Sequence, residues 1–212
     1  MVTQTTRAPR SDARANRESI LAAARETLAN DPRASIDVIA RAAGLSRRAL
    51  YGHFDDRAAL VTELIATGAQ RFNAIAEEPA TADARLDLAR LAARLWGAAE
   101  DVQLLAAVAL DDEHVASTAA ALAPVRRMLL EIVRQGQSAQ TLRTDMDAET
   151  LARIIEEGAR TFVTRAPAFT ASVADARSIA VRAMLSIGGL SWRESEELLQ
   201  AHPDLLSKET AR

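Results

Sequence analysis

The sequence has no cysteine, few aromatic residues and little glycine or proline. Its 212 residues include no Cys, 8 Gly and 6 Pro, and only 3% are Phe, Trp or Tyr. Without cysteine, no disulfide can crosslink the chain and no thiolate can bind a metal. The scarcity of turn-forming and aromatic residues disfavours a many-stranded sheet. Alanine, by contrast, occurs 47 times, and because alanine is the best helix former the composition predicts an all-α protein.

Long hydrophobic runs are also missing. The longest uncharged run, Val115–Val125, is shorter than the roughly 18 apolar residues that a membrane span requires. Residues 1–17 are polar and contain arginine, with no apolar segment of the kind found in a signal peptide. We therefore expect a soluble, cytoplasmic protein that has no membrane partner.

The charged residues are unevenly distributed along the chain. Residues 1–53 contain nine arginines and five acidic residues, a charge of +4, whereas the whole chain carries −3. A basic N-terminal quarter on an otherwise acidic chain indicates a part that faces a polyanion. Residues 1–15 are predicted to form a flexible basic arm. The alternative is that these arginines are only solvated.

The apolar spacing predicts four helices in the N-terminal third of the chain. The first covers about 17–28, and the second is capped by Ser35 and ended by Gly44, which supplies a positive φ. The third and fourth helices are predicted over about 46–54 and 55–77. Three short helices followed by a long one are therefore expected.

Residues 36–54 have the layout of a helix-turn-helix. The small side chain of Ala40 lets the two short helices cross closely, and Gly44 permits the tight turn between them. Leu50 and Phe54 are placed to fasten the second helix of the pair to the core.

The opposite face of that second helix suits a polyanion. At about 100° per residue, it carries Arg48, Ala49 and Gly52, with Tyr51 and His53 at its flanks. Arginine can form paired hydrogen bonds with guanine or bind phosphate, and tyrosine and histidine can donate to phosphate oxygens. The alternative is that Arg47 and Arg48 belong to an ordinary solvated first turn of the helix and that Tyr51 lies at the rim of the core.

Two segments of this region resemble the N-terminal DNA-binding domain of TetR-type transcriptional regulators. They are residues 18–24 (ESILAAA) and 35–60 (SIDVIARAAGLSRRALYGHFDDRAAL). The likeness includes the Ser-x-x-x-Leu-Tyr-x-x-Phe helix and a basic residue three positions after Phe54. It implies an all-α fold with a three-helix helix-turn-helix domain over 16–58 and a larger helical domain for effector binding and dimerisation over 59–212.

The resemblance also implies a homodimer that binds an inverted repeat in double-stranded DNA, as a repressor that a small-molecule effector releases. Two departures from the family pattern are notable. Gly52 lies where family members usually have a residue with a side chain, and it is expected to cost about 1 kcal/mol of helix propensity. Arg48 lies where many members have a small residue. The predicted DNA-contacting residues are Arg17, Ser35, Ser46, Arg47, Arg48, Ala49, Tyr51, His53 and Arg57.

The long helices predicted near the C-terminus carry more apolar surface than one core needs. The helix over about 173–187 is apolar on two sides, so it is buried against its own domain and against something else. The resemblance identifies the second neighbour as the partner subunit; the alternative is a fully internal helix of a monomer. The predicted dimer interface comprises Leu151, Ile154, Ile155, Gly158, Phe162, Ile179, Val181, Ala183, Leu185 and Ile187.

Family members usually bind an effector among their middle helices. The polar or aromatic candidates near apolar stripes are Trp96, Gln103, His114 and Phe162, each of which could instead be a core residue. Residues 111–114 (DDEH) could form a metal site, although carboxylates in front of a helix more often cap its N-terminus. We predict no metal and no cofactor.

Two other classes of protein fit the sequence less well. An all-α enzyme is disfavoured because the sequence has no cysteine nucleophile, no histidine pair at metal-binding spacing, no glycine-rich phosphate loop and no Gly-x-Ser-x-Gly. A helical dimer that binds another protein and has lost DNA binding is supported only by Gly52.

Overall fold

The computed structural model of the protein describes residues 9–77, 80–100, 114–169 and 173–207. Within these ranges there are ten α-helices, one 3₁₀ helix and no strand, which confirms the all-α prediction. None of the helices described there is long and apolar enough to cross a membrane.

The first four helices form the N-terminal part of the fold. Two of them begin at side-chain caps: the Ser46 hydroxyl accepts a hydrogen bond from the Ala49 N–H at 3.1 Å, and the Asp56 carboxylate accepts one from the Ala59 N–H at 2.7 Å. Such caps satisfy N–H groups that have no partner inside the helix. The four helices are α1 (Pro9–Asn30), α2 (Ile36–Ala42), α3 (Arg47–Tyr51) and α4 (Arg57–Ile75).

Helix α1 begins at Pro9, well before the predicted start at Arg17. Residues 9–15, which the sequence placed in a flexible arm, are therefore helical, while residues 1–8 lie outside the described residues. The predicted start was set by the first residues of an apolar stripe, and residues 9–15 have no such stripe. Proline is tolerated at the first helical position because its missing N–H has no helical partner there.

Helix α3 is shorter than predicted. It ends at Tyr51, and Gly52 is its C-cap with φ −70° and ψ −15°, so the helix stops before the expected end near Phe54. Because Gly52 terminates the helix instead of lying inside it, the predicted cost in helix propensity does not apply.

The second half of the chain contains six further α-helices. The sequence predicts a helix over 115–136 with a bend at Pro124. The structure has two helices there that meet at Leu122, because Pro124 lies in the first turn of the second helix, where it needs no N–H partner. Asp147 caps another by accepting from the Thr150 N–H at 2.8 Å. The helices are α5 (Ala84–Glu100), α6 (Val115–Ala121), α7 (Ala123–Ser138), α8 (Ala148–Phe169), α9 (Val173–Ile187) and α10 (Trp192–Ala201), followed by the 3₁₀ helix Pro203–Leu206.

Two large hydrophobic cores organise these helices, and a small third cluster is formed by Trp96, Ala176 and Ala180. We call residues 20–64, which supply one core, the head, and residues 84–205, which supply the other, the body. In the body, α5 packs against both α7 and α9, and α8 packs against α7 and α9. The domain boundary at residue 58 remains a prediction, but the first half of α4 packs within the head. Helix α4 joins the two parts, with Leu60 and Leu64 in the head core and Phe72 and Ile75 against the body core.

Candidate nucleic-acid interface and internal cavity

Helices α2 and α3 are held together as a helix-turn-helix. Gly44 has φ +69°, the left-handed conformation predicted for it, and the following Leu45 N–H donates to the Ala40 carbonyl at 2.9 Å. Ile39 and Leu50, both fully buried, pack in the head core beneath the turn. The turn and the buried anchors fix how α3 is presented to solvent.

The outer surface of α3 is exposed. Arg47, Arg48 and Ala49 are exposed, and the Tyr51 ring is 39% exposed. On α2, Val38 is exposed to a similar extent, 38%. Val38 is not one of the predicted DNA-contacting residues. Two exposed large apolar side chains near an exposed basic turn provide surface suited to base edges, where apolar groups contact the thymine methyl.

Arg47 links α2 to α3. Its Nη1 donates to Asp37 Oδ2 at 3.1 Å, its Nη2 lies 3.4 Å from the Tyr51 hydroxyl, and its guanidinium lies 5.4 Å from the centre of the Tyr51 ring. The bond to Tyr51, and then the charge of Asp37, raise the pKa of Arg47 above its usual value. Arg47 is therefore a charged group whose position depends on both helices.

Arg48 differs from its neighbour. It is exposed, and within the described part of the chain its side chain makes no hydrogen bond and no ion pair. An arginine that is not committed to the protein keeps its full set of donors for a ligand. Among the predicted DNA-contacting arginines, Arg48 is the one that the fold leaves uncommitted.

Arg17 and Arg57, predicted to contact phosphates, are held by the protein itself. Arg17 pairs with Glu63, donates through Nη1 to the His53 carbonyl at 2.6 Å, and stacks 4.3 Å from the centre of the Phe54 ring. Its hydrogen bond to Glu63 raises the pKa of Arg17. These contacts tie α1 to α4 and to the residues that follow α3.

Arg57 also connects two separate segments of the head. Its Nε donates to the Ala34 carbonyl at 3.1 Å, and its Nη2 donates to the Pro32 carbonyl at 2.8 Å. The start of α4 is thereby fixed to the segment between α1 and α2. The sequence pattern gave no sign of these contacts, because each joins residues more than twenty positions apart.

The three remaining predicted residues, Ser35, Ser46 and His53, differ in their surroundings. Ser35 precedes α2 and is exposed, and its hydroxyl makes no capping bond. Ser46 uses its hydroxyl to cap α3. His53 is half-buried after the end of α3. Whether these groups contact DNA stays a prediction.

If Arg17 orders the head through Glu63, the two residues must be energetically coupled. We expect Arg17→Ala and Glu63→Gln each to lower the free energy of unfolding by about 1 kcal/mol, a modest value because the pair is partly exposed. The double variant should lose less than the sum of the single losses. Urea denaturation of the four proteins measures this coupling, and strictly additive losses would show that the pair does not form in solution.

A cavity of about 260 Å³ lies between the head and the body. Its walls include Leu28, Val61 and Leu64 from the head core, and Trp96 and Met184 from the body. Most lining side chains are aliphatic or aromatic. A ligand in this space would therefore contact α1 and α4 as well as the body helices, and it would bind mainly through apolar contact.

Within the described ranges, the charged residues that line the cavity lie together in one part of its wall. They are Arg126 on α7 and Glu156, Glu157 and Arg160 on α8. Arg126 and Glu157 are exposed, so this part of the wall is its solvent-facing mouth. The Arg126 Nε donates to Glu156 at 2.9 Å, and Arg160 pairs with Glu157. These four described residues thus form two ion pairs whose charges cancel.

The predicted pocket residues fall into three groups. Trp96 and Phe162 line the cavity. His114 is buried but is not among the lining residues; it occupies the N-cap position of α6. Gln103 and the acidic residues 111–113 lie outside the described residues. Within the described ranges, no group of three or more histidine or acidic residues is arranged to hold a metal ion.

Sequence reasoning missed most of the cavity. Its lining residues on α1, α4 and α7 were not among the predicted pocket residues, because their apolar side chains carry no signal that separates a cavity wall from a packed core. A cavity wall and a packed core are distinguished only by how the head and the body pack against each other.

The predicted dimer interface is divided by the fold. Ile154 on α8 and Ile179 on α9 are 42% and 37% exposed. Ala183 and Ile187 on α9 are half-buried. Gly158 lies beside Ile187, since a Cβ built on the glycine would stand 2.8 Å from the isoleucine Cδ1. The outer sides of the two packed helices therefore carry apolar side chains that the chain itself does not cover.

Four other members of the predicted interface are core residues, which corrects that part of the prediction. Leu151, Ile155, Val181 and Leu185 are 0–3% exposed and belong to the body core. Phe162 packs against that core and lines the cavity. Because these side chains are already enclosed by their own chain, they are not available to a second subunit.

Residues 20–64 match the sequence pattern of the bacterial regulatory proteins of the tetR family. This segment coincides with the head. Among curated proteins, none matches the chain. The match confirms the resemblance drawn from the helix-turn-helix residues.

The fold is similar to that of solved TetR-type structures. The TetR family regulator PfmR from Thermus thermophilus has a TM-score of 0.66 at 21% identity, covering 90% of this chain and 99% of that one. FadR from Bacillus subtilis, solved in complex with stearoyl-CoA, has a TM-score of 0.65 at 18% identity, covering 81% and 97%. RolR, solved in complex with resorcinol, has a TM-score of 0.62 at 16% identity, covering 95% and 98%.

These similarities cover both parts of the molecule. The sequence match accounts for the head, and the structural matches extend over the body. Residues 20–64 therefore carry the sequence pattern of the tetR family of bacterial regulatory proteins, and the chain as a whole has the fold of TetR-type regulators.

Proposed function

We propose that the protein is a homodimeric repressor that binds an inverted repeat in double-stranded DNA and is released by a small-molecule effector. The cavity between head and body carries this proposal. Leu28, Val61 and Leu64 belong to the head core and also line the cavity. An effector in this space would press on the helices that position α2 and α3.

The DNA-contacting surface consists of α3 with the start of α2. Arg48 and Tyr51 would contact base edges, together with the apolar surface of Ala49. Ser35 and Arg47 would contact phosphates, which position the protein without specifying sequence. Arg17 and Arg57 would act mainly by holding the head in shape.

The dimer would form through the outer sides of α8 and α9. The exposed large apolar side chains on these helices are Ile154 on α8 and Ile179 on α9. In an isologous contact each residue of one subunit meets the equivalent patch of the other. A second copy related by a two-fold axis could therefore cover both isoleucines with its own α8 and α9.

Trp192 extends this apolar surface beyond the residues that the sequence selected. It is 67% exposed at the start of α10. The ion pair between Arg182 and Glu196, at 2.6 Å, holds α10 against α9, and Trp192 lies one turn before Glu196. We therefore place Trp192 at the edge of the dimer surface, where large aromatic side chains are common.

Helix α4 provides the connection between the cavity and the head. It lines the cavity with Val61, Leu64 and Phe72. At its far end the Asn73 side-chain amide donates to the carbonyl of Ala121, the last residue of α6, at 2.8 Å. Effector binding would shift α4 relative to the body helices. Because α4 is part of the head core, this shift would change the separation of the two DNA-contacting surfaces in the dimer.

Selection of bound sequences from a random duplex library, repeated at two salt concentrations, tests the proposal. We expect an inverted repeat to be enriched, because a two-fold dimer presents two equivalent α3 helices to successive major grooves. Affinity should fall steeply as salt rises, since phosphate contacts release counterions. The selected operator then supports a search for compounds that dissociate the complex.

The outcome separates the competing functions. No enrichment with a folded, ligand-stripped dimer would contradict the proposal and favour a helical dimer that binds another protein. Enrichment of a single half-site would retain DNA binding and contradict the dimer.

A further inference from the structure

We infer that the effector is an uncharged, predominantly apolar molecule, and that the Arg126–Glu156 ion pair at the cavity mouth excludes charged ligands. This inference rests on the proposed role of the cavity as the effector site.

The interior of the cavity favours apolar ligands. The wall contributed by α4, α5 and α9 contains only apolar side chains and one glycine. Trp96, one of them, is almost fully buried. Transferring an ionised group into such surroundings is costly unless a partner charge accompanies it. A charged end of a ligand could therefore be tolerated only at the mouth.

The residues of the mouth that the structure describes offer no net charge to such a group. Arg126 is bound to Glu156 and Arg160 to Glu157, so each arginine already has a carboxylate and each glutamate a guanidinium. An anionic ligand would have to displace a glutamate to reach an arginine, and a cationic ligand would have to displace an arginine. Neither exchange adds an ion pair, whereas a neutral ligand leaves both pairs intact.

Three ten-carbon probes that differ only in charge test the inference: decan-1-ol, decanoate and decylamine at neutral pH. The chain has two tryptophans, so Trp192→Phe leaves Trp96 in the cavity wall as the single tryptophan reporter. Binding is measured by Trp96 emission and by calorimetry, in the absence of DNA. We expect decan-1-ol to bind at least about 10-fold more tightly than either charged probe.

The ion pair itself is tested by releasing one partner at a time. Glu156→Gln leaves Arg126 without its carboxylate and should strengthen decanoate binding about 10-fold, a typical gain for one charge-assisted hydrogen bond, with decan-1-ol unchanged. Arg126→Gln should favour decylamine in the same way. Glu149→Gln is the matched control, because Glu149 pairs with Arg134 between the same two helices but neither residue lines the cavity.

The possible results are distinct. Decanoate or decylamine binding the parent protein as tightly as decan-1-ol, or no probe binding, would overturn the inference. An equal change with Glu149→Gln would show that the mouth is not selective for charge. If decan-1-ol binds but leaves the operator complex intact, the result supports the inferred ligand class and contradicts the proposal that an effector in this cavity releases the DNA.

Discussion

Replacing Arg48 with alanine is expected to weaken binding to the selected operator by about 1–3 kcal/mol, or roughly 5- to 150-fold. The variant removes a guanidinium that the protein does not use for its own stability. Its helix content, unfolding free energy and dimerisation should therefore be unchanged. Fluorescence anisotropy with labelled operator and a scrambled duplex measures the effect. If Arg48 contacts a base, the loss should be larger for the operator than for the scrambled duplex.

Arg25→Ala is the matched control for Arg48→Ala. Arg25 is exposed on α1, on neither α2 nor α3, and its removal changes the net charge by the same amount. Equal losses for the two variants would mean that Arg48 contributes only to the overall field. A full retention of affinity in Arg48→Ala would remove α3 from the proposed DNA-contacting surface.

Placing a glutamate at position 179 is expected to separate the dimer. In the single chain Ile179 is exposed, so Ile179→Glu should leave the unfolding free energy of the monomer nearly unchanged. In the dimer, two carboxylates would be buried close to the two-fold axis without partners, which costs several kcal/mol. The dimer dissociation constant should rise by about 100-fold or more, and affinity for the full inverted repeat should fall with it, because a monomer can occupy only one half-site.

Sedimentation equilibrium measures the dimer constant directly. Gln70→Glu adds the same negative charge on the exposed side of α4, outside the proposed interface, and should leave the dimer intact. Trp192→Ala should weaken the dimer less than Ile179→Glu, since it removes apolar area without burying a charge. An unaltered dimer in Ile179→Glu would place the interface elsewhere on the molecule.

The head illustrates what local sequence can specify. Ser46, Gly44 and the apolar anchor Leu50 act over a few residues, through a cap, a backbone conformation and a helix face. Each has a recognisable pattern, so the helix-turn-helix and its exposed face followed from the sequence. The end of α3 at Gly52 did not, because apolar spacing continues to Phe54 even though the helix does not.

The roles of the head's arginines were decided by contacts between distant segments. Arg17 and Glu63 are 46 positions apart, and Arg57 reaches carbonyls before α2. A sequence shows that these residues are basic, but not that neighbouring acids and carbonyls already engage them. Their proposed function changed from phosphate contact to positioning for that reason.

The body shows the same division between pattern and packing. Apolar periodicity predicted α8 and α9 as helices with large buried faces, and it identified their apolar residues. It could not tell which of these residues the chain covers by itself. Leu151 and Ile154 lie in the same predicted stripe, yet one is fully buried and the other 42% exposed.

The sequence by itself determined the helical fold, the helix-turn-helix and the family of the N-terminal domain, because each depends on residue types at short, regular spacing. Tertiary structure alone decided where the cavity lies, which charges at its mouth are paired, and which apolar side chains remain for a partner. Those properties depend on how surfaces from distant segments meet, and burial of a side chain is set by the neighbours that fill the space around it.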